Sequence, residues 1–193
     1  MSNTVRETLK GFDLVFETED GVFSPHNVDK GTLAMLSVVD FKASDKVLDL
    51  GCGFGVVGIL AAKFVGIDNV VMIDKDELAI RLSKKNIMLN GLEGIKVLQS
   101  DGFKDLKEKD FTLILSNPPY HTDFSVAKEF IEKGFNRLSI GGKIVMVTKR
   151  DLWYRNKLTS IFGGVRVNEI DGYFVFMSIK KESTYAKKKK SKM

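Results

Sequence analysis

The sequence is poor in cysteine, histidine and proline. Its 193 residues include one cysteine, Cys52, two histidines and three prolines. A single cysteine excludes an intramolecular disulfide and is typical of a reducing compartment, so we expect a cytoplasmic protein. One cysteine and two histidines are also too few for a zinc cluster of the usual ligands, and we expect no metal site.

Long apolar runs are also missing. No stretch approaches the roughly 20 apolar residues that a membrane span needs, and residues 1–21 lack the apolar core of a signal peptide. We therefore expect no contact with a membrane. The net charge at pH 7 is only +5, and residues 187–192 supply five of the positive charges. Such a run is typical of a solvated tail, and a tail that contacts RNA is the alternative.

The composition is that of one globular domain, since 44% of the residues are hydrophobic. Before the first buried strand, we expect no regular structure in residues 1–11. Alternating apolar residues from Phe12 predict a strand, Asp20-Gly21 predicts a hairpin turn with a return strand at Val22, and residues 29–39 predict a short helix. The predicted divisions are an N-terminal segment at residues 1–44, packed on the main domain at residues 45–181, and a disordered basic tail at residues 182–193.

Strands and helices alternate from residue 45 onward, which predicts a mostly parallel sheet with helices on both faces. The dipeptide Asp171-Gly172 joins the last two predicted strands and is a strong hairpin signal, so the sheet should gain an antiparallel strand. In such sheets the ligand lies beyond the carboxyl ends of the strands. The predicted strands are residues 47–50, 70–73, 95–98, 111–115, 143–148, 165–170 and 173–179, and the helices are 54–65, 77–90, 127–138 and 152–162.

The glycine-rich turn after the first of these strands fits two patterns. Gly53, Gly55 and Gly58 match the G-x-G-x-x-G of dinucleotide-binding proteins. Gly51, Gly53 and Gly55, preceded by Asp49, match the G-x-G-x-G turn of enzymes that use S-adenosylmethionine (SAM). We favour the second pattern, in which Gly58 serves close packing of helix on strand.

Polar residues end the next two strands, where a cofactor would lie. Asp74 follows the glycine turn by about 20 residues, and a carboxylate there can accept both hydroxyls of a ribose. Asp101 ends the third strand and is a candidate acceptor for an adenine amine, with Phe103 as a packing surface. A solvated acid at a strand end and a simple turn are the alternatives.

The fourth strand ends in Asn117-Pro118-Pro119-Tyr120. Two prolines remove two backbone donors, so the Asn117 amide oxygen and the Pro118 carbonyl make this turn rich in acceptors. Beside the flat ring of Tyr120, they suit a planar group that carries an amine. Accepting both N–H groups would hold the nitrogen and free its lone pair for attack on an electrophilic methyl group. A rigid surface turn is the alternative.

Other reactive side chains carry weaker signals. Cys52 has no histidine at a recognisable spacing, so we interpret it as a small side chain that lines the turn rather than a nucleophile. His26 and His121 are interpreted as surface or packing residues. Trp153-Tyr154-Arg155 fits either helix packing or the rim of a substrate site.

These motifs resemble those of a known family. Asp49-Leu50-Gly51-Cys52-Gly53-Phe54-Gly55 resembles the first motif of class I SAM-dependent methyltransferases, and Asn117-Pro118-Pro119-Tyr120 is similar to the catalytic tetrapeptide of those that methylate planar nitrogens. Residues 21–24 and 28–32 are similar to the segment before the domain in small-domain (RsmC-like) ribosomal RNA guanine-N2 methyltransferases, as is the helix end at Asn86, Asn90 and Gly91.

The resemblance implies a Rossmann-like, seven-stranded, mostly parallel sheet with an antiparallel last strand. It implies methyl transfer from SAM, with S-adenosyl-L-homocysteine as product, to guanine N2 in ribosomal RNA, alone or in a small-subunit particle. The catalytic residues would be Asn117, Pro118, Pro119 and Tyr120. The predicted cofactor contacts are Asp49, Gly51, Cys52, Gly53, Gly55, Asp74, Lys75, Asp101, Gly102, Phe103 and Asn117.

Four alternatives stay open at this point. The same tetrapeptide serves adenine-N6 and protein glutamine-N5 methyltransferases. A nicotinamide oxidoreductase fits the glycine turn but leaves residues 117–120 without a role. A non-catalytic module that binds SAM or chaperones RNA would bind the cofactor without transferring a methyl group. The sequence leaves the oligomeric state open.

Overall fold

A computed structural model of the chain describes residues 2–119 and 123–186. Within these residues a short 3₁₀ turn spans Ile67–Asn69. The strands are β1 Ser2–Leu9, β2 Phe12–Glu19, β3 Val47–Leu50, β4 Val70–Asp74, β5 Lys96–Gln99, β6 Phe111–Ser116, β7 Leu138–Thr148, β8 Arg166–Ile170 and β9 Tyr173–Ile179. The helices are α1 Lys30–Val38, α2 Val56–Val65, α3 Glu77–Leu89, α4 Ser125–Arg137 and α5 Leu152–Phe162.

Seven strands form one sheet in the order β5-β4-β3-β6-β7-β9-β8. The strands β3 to β7 pair in parallel, and β9 runs antiparallel to both of its neighbours. The predicted fold class is confirmed. Because the chain leaves β3 toward β4 and later returns to its other side as β6, the order reverses at β3, and a crevice opens beyond the strand ends there.

The sheet separates two apolar cores. Residues in strands alternate between faces, so Val47 and Met72 belong to the core beneath α1, α2 and α3, whereas Leu48 and Ile73 belong to the core beneath α4 and α5. Both faces are therefore covered, which explains why the strands are almost continuously apolar.

The N-terminal segment differs from the prediction. Strand β1 pairs antiparallel with β2 across a turn at Lys10 and Gly11, which have φ of +48° and +86°. Residues 2–9 are thus a strand, and the prediction that they lack regular structure was wrong. Only Val5 and Leu9 of β1 are buried, so the strand carries almost no alternating signal. The return strand predicted at Val22 was also wrong, since Val22 forms only an isolated bridge.

Asn86 of α3 and Asn90, which caps the end of this helix, bind the free edge of β2. Asn86 accepts from the Glu17 N–H (2.7 Å) and donates to the Glu17 carbonyl (2.9 Å), and Asn90 makes the same pair with Val15 at 3.2 and 2.7 Å. The two amides therefore replace a neighbouring strand. The Asn86 amide also donates to the Phe54 carbonyl at 2.8 Å, so one side chain links the hairpin to the glycine-rich turn.

The C-terminal end is also partly ordered. Ala186 donates its backbone N–H to the Ile161 carbonyl at 2.9 Å, and the Tyr185 ring packs edge-on against Phe135 with centroids 5.0 Å apart. Tyr185 and Ala186 therefore contact α4 and α5, within the segment from residue 182 that was predicted to be disordered. The lysine-rich run of residues 187–192 lies outside the described residues. In the part of the chain that the structure describes, no helix could cross a membrane.

Candidate active site

A cavity of about 320 Å³ lies beyond the carboxyl ends of β3, β4 and β6, within the size range of small-molecule sites. Most of the predicted site residues line it, and they come from four separate loops. The predicted residues that line the cavity are Asp49, Gly51, Cys52, Gly53, Asp74, Lys75, Asp101, Gly102, Asn117, Pro118 and Pro119. Tyr120 lies outside the described residues, as does His121, and His26 is exposed.

Gly51 and Gly53 form the open part of the glycine-rich turn. Their φ angles are +79° and +54°, and a Cβ added at either one would meet no protein atom within 4 Å. The turn is held from behind, since the N–H groups of Gly51 and Cys52 both donate to the Ile73 carbonyl at 2.9 Å. The backbone at these two glycines therefore leaves room for a ligand to approach closely.

Gly55 and Gly58 lie deeper and do not line the cavity. A Cβ at Gly58 would fall 2.5 Å from Cγ of Met72, and one at Gly55 would fall 3.1 Å from Cε of the same methionine. Both positions therefore serve close contact between α2 and β4. The cofactor contact predicted at Gly55 is not part of the cavity wall.

Asp49 is a buried carboxyl at the floor of the cavity, with only 2% of its surface exposed. Its Oδ2 accepts from the Gly58 N–H at 2.8 Å, at the start of α2. Burial raises the pKa of Asp49 to about 7, opposed by the Gly58 hydrogen bond and aided by the nearby charge of Asp74. This residue therefore ties β3 to α2 and places a titratable group beneath the cavity.

Asp74 binds the glycine-rich turn as well as lining the cavity. One carboxylate oxygen accepts from the Gly53 N–H at 2.9 Å and the other from the Asp76 N–H at 3.0 Å. A carboxylate has about four lone-pair sites, so two remain for a ligand. The geometry is compatible with a bound diol.

Asp101 lines the cavity, whereas Phe103 does not. Asp101 is exposed at the cavity edge and bonds to Lys104, which lowers the pKa of the Asp101 carboxyl. Phe103 is 3% exposed and packs edge-on against Phe130, with ring centroids 6.3 Å apart. The structure places Phe130 in the cavity wall and Phe103 behind it, so the packing surface predicted at Phe103 is supplied by another ring.

Cys52 lines the turn as a small buried side chain. Its Sγ lies 3.5 Å from Oγ of Ser83, and burial raises the pKa of the thiol well above its usual value. The thiolate is therefore strongly disfavoured, which argues against a nucleophilic role. No cluster of potential metal ligands occurs among the described residues.

The side-chain amide of Asn117 is held by the first turn of α1. Its Nδ2 donates to Oδ2 of Asp29 at 2.8 Å and to Oγ1 of Thr32 at 3.1 Å. An ionised carboxylate can only accept, so the atom that faces Asp29 must be the amide nitrogen. Because the amide is planar, its oxygen points away from α1. Asn117 thus presents an acceptor on a half-buried wall beside Pro118 and Pro119.

Sequence reasoning missed the wall that comes from outside the sheet. Asp29 also caps α1, because the same Oδ2 accepts from the Thr32 N–H at 2.9 Å. An acidic residue before a helix is a recognisable cap, but its second bond joins residues 88 positions apart and has no local signal. The additional lining residues are Val22, Phe23, Ser24, Val28, Asp29 and Thr32 before the sheet, with Val126, Glu129 and Phe130 on α4.

A sheet in this order, with a cavity at its switch point, defines the Rossmann-like class of ligand-binding α/β proteins. Within this class the chain belongs to the methyltransferase small domain family, whose model matches residues 13–178.

Named relatives and solved structures agree with this family. The chain is 36% identical to a ribosomal RNA small subunit methyltransferase C of Psychromonas ingrahamii, over 82% of this chain and 46% of that protein. It is 37% identical to a protein of the same name from Haemophilus influenzae, over 83% and 49%. The chain thus spans about half the length of these relatives. A T. thermophilus 16S rRNA N2 methyltransferase (RsmC), solved with AdoMet and guanosine, superposes with a TM-score of 0.85 at 27% identity, over 94% of this chain and 51% of that one.

Proposed function

We propose that this chain is a SAM-dependent N-methyltransferase that acts on guanine N2 in ribosomal RNA. The observation that carries the proposal is the Asn117 amide, which α1 holds with its oxygen as an acceptor at the cavity. The relatives that share the domain are named for methylation of small-subunit ribosomal RNA, and one was solved with AdoMet and guanosine.

The cavity fits the cofactor at two places. At Gly51 and Gly53 the missing side chains leave open space next to the turn, and Asp74 retains acceptor capacity for the ribose hydroxyls. When bound, SAM supplies an electrophilic methyl group on a positively charged sulfur. Asp74 places a carboxylate in this part of the cavity, which suits a cation.

We assign the binding of the guanine amine, which receives the methyl group, to Asn117 and Pro118. The Asn117 oxygen and the Pro118 carbonyl each accept one N–H of the guanine amine, which holds the nitrogen and directs its lone pair toward the methyl group. With the cofactor bound, Asn117 and Pro118 would hold the amine nitrogen toward the methyl group that SAM supplies, and the methylated amine would release one proton to solvent. The protein contributes alignment more than acid–base chemistry.

Asp29 strengthens this arrangement by its charge. A carboxylate that accepts from the amide N–H draws electron density onto the amide oxygen, so Asn117 becomes a better acceptor. Thr32 occupies the other amide proton and prevents the amide from flipping. We assign both residues to positioning, with no contact to the reacting atoms.

A transfer assay with labelled SAM tests the proposal. Small-subunit ribosomal RNA and particles from cells that lack the modification serve as substrates, and the nucleosides are identified by mass spectrometry. We expect N2-methylguanosine, and Asn117→Ala should abolish it while SAM affinity by calorimetry changes less than about twofold. Asn136→Ala, an exposed asparagine on α4, is the matched control and should transfer normally.

Other outcomes point to other activities. Methylated adenine, or methylated glutamine in a supplied release factor, would replace guanine as the acceptor. SAM binding without transfer to any acceptor would contradict the enzymatic proposal, and nicotinamide binding in place of SAM would overturn the cofactor assignment.

A further inference from the structure

The side chains of Arg150 and Trp153 both contact the Phe124 ring. We call these three side chains, together with Leu152, the aromatic rim. The Arg150 guanidinium lies 4.8 Å from the centre of the Phe124 ring. The Phe124 and Trp153 rings are stacked, with centroids 4.3 Å apart and planes inclined by 13°. A stacked phenyl ring and indole, with a guanidinium over the phenyl ring, are groups of the kind that stack with nucleobases.

The aromatic rim lies at the surface around the N-terminal end of α4, a helix that also lines the cavity. Phe124 and Trp153 lie at the edge of the core beneath α4 and α5, where they are only partly buried. Leu152 is 71% exposed, the largest exposed fraction among the large apolar side chains of residues 2–119 and 123–186. Val126, two positions after Phe124, lines the cavity itself. An exposed leucine beside a half-buried indole marks a binding surface rather than core.

The rim contains one cation, Arg150. Residues 149–157 contain four cationic side chains and one acid. Arg155 pairs with that acid, Asp151, through two hydrogen bonds of 3.0 Å, and Lys157 pairs with Glu132. Lys149 lies 5.0 Å from the centre of the Tyr173 ring, which belongs to the core beneath α1 on the other face of the sheet. Asp123 accepts from the backbone and hydroxyl of Ser125.

We propose that the aromatic rim binds single-stranded RNA, with a base next to the methylated guanosine stacked on Trp153 and Leu152. Arg150, which lies over the Phe124 ring, is the cationic side chain of the rim that would face its phosphates. Unpaired bases stacked on aromatic side chains are the usual means by which proteins bind single-stranded RNA. This inference rests on the proposed function and adds a place where the RNA is held outside the cavity.

Trp153 is the only tryptophan in the chain, so its fluorescence reports on the rim directly. The test titrates the full chain with a labelled single-stranded oligoribonucleotide of about ten nucleotides, measuring its anisotropy and the tryptophan emission together. We expect emission to fall in step with binding. Leu152→Ala and Arg150→Ala should each weaken binding by about three- to tenfold. Met88→Ala, which alters another exposed apolar residue on α3, should bind normally.

The outcomes separate this inference from the function on which it rests. RNA binding with unchanged tryptophan emission, or with full affinity in both rim variants, overturns the rim and leaves the methyltransferase proposal intact. Quenching by RNA without methyl transfer supports the rim and contradicts the proposed function. Absence of any RNA binding overturns the rim as an RNA site.

Discussion

Replacing Asn86 by alanine should weaken the attachment of the N-terminal hairpin and of the glycine-rich turn together. The side chain is fully buried and makes three hydrogen bonds, two with the Glu17 backbone and one with the Phe54 carbonyl. Alanine keeps α3 intact because it is the best helix former, so the effect comes from the lost bonds.

The size of the effect follows from what is left behind. A neutral hydrogen bond contributes about 1 kcal/mol, and a buried group left without its partner costs about 1–3 kcal/mol. Three lost bonds therefore predict a loss of roughly 3 kcal/mol or more. For a chain of this size each kcal/mol lowers Tm by about 2–4 °C, so Tm should fall by about 6–12 °C.

Thermal unfolding followed by circular dichroism measures this change. Lys84→Ala is the matched control, because Lys84 is exposed on the same helix and its replacement should leave Tm unchanged. Asn86→Asp keeps one acceptor but places carboxylate oxygens against two carbonyls, so it should be at least as unstable as the alanine variant. A fall of less than about 2 °C for Asn86→Ala would refute the bond count on which the argument depends.

Three further changes test the site. Asp29→Ala should lower kcat about tenfold or more with SAM affinity almost unchanged, because the Asn117 amide loses its orientation. Transfer kinetics measure kcat, and calorimetry measures the SAM affinity. An unchanged kcat contradicts the positioning role. Gly58→Ala should destabilise the fold by about 1–3 kcal/mol, since the added Cβ would overlap the buried Met72. Urea unfolding measures this change, and a free energy of unfolding equal to that of the parent chain contradicts the packing. Asp49→Asn should change the pH dependence of stability. The raised pKa means that the native carboxyl holds its proton up to about pH 7, so the parent chain loses stability, by up to about 4 kcal/mol, as pH rises from 4 to 7. The asparagine variant should lack this loss in urea titrations, and parallel pH profiles would refute the assignment.

The sheet and its helices were predictable because their residues repeat with the periods of strands and helices. Helix α5 matches its predicted bounds, and most other elements differ by only a few residues. Strand β7 begins earlier than predicted, at Leu138, because Gly141 and Gly142 lie within the strand rather than before it. Periodicity locates buried faces but says little about where a strand that contains two glycines begins.

The hairpin and half of the cavity wall were not predictable for a different reason. Strand β1 is stabilised by pairing with β2, and β2 in turn by two side chains of α3, so neither relation leaves a local pattern. The same is true of the contact between Asp29 and Asn117. Phe103 follows β5 and Phe130 lies on α4, and only the packing of these two rings decides which of them faces the cavity.

One oxygen atom, Oδ2 of Asp29, both begins α1 and holds the Asn117 amide. Helix ends open more often than helix centres, so the first turn of α1 is where local fraying starts. Each time the first turn of α1 opens, the Asn117 amide is released and its oxygen loses its direction, although the sheet and the glycine-rich turn stay folded. Under the proposed function, the closure of this one helical turn would limit how often the Asn117 amide is in place for transfer, and the exchange rate of the Thr32 amide proton would report that closure.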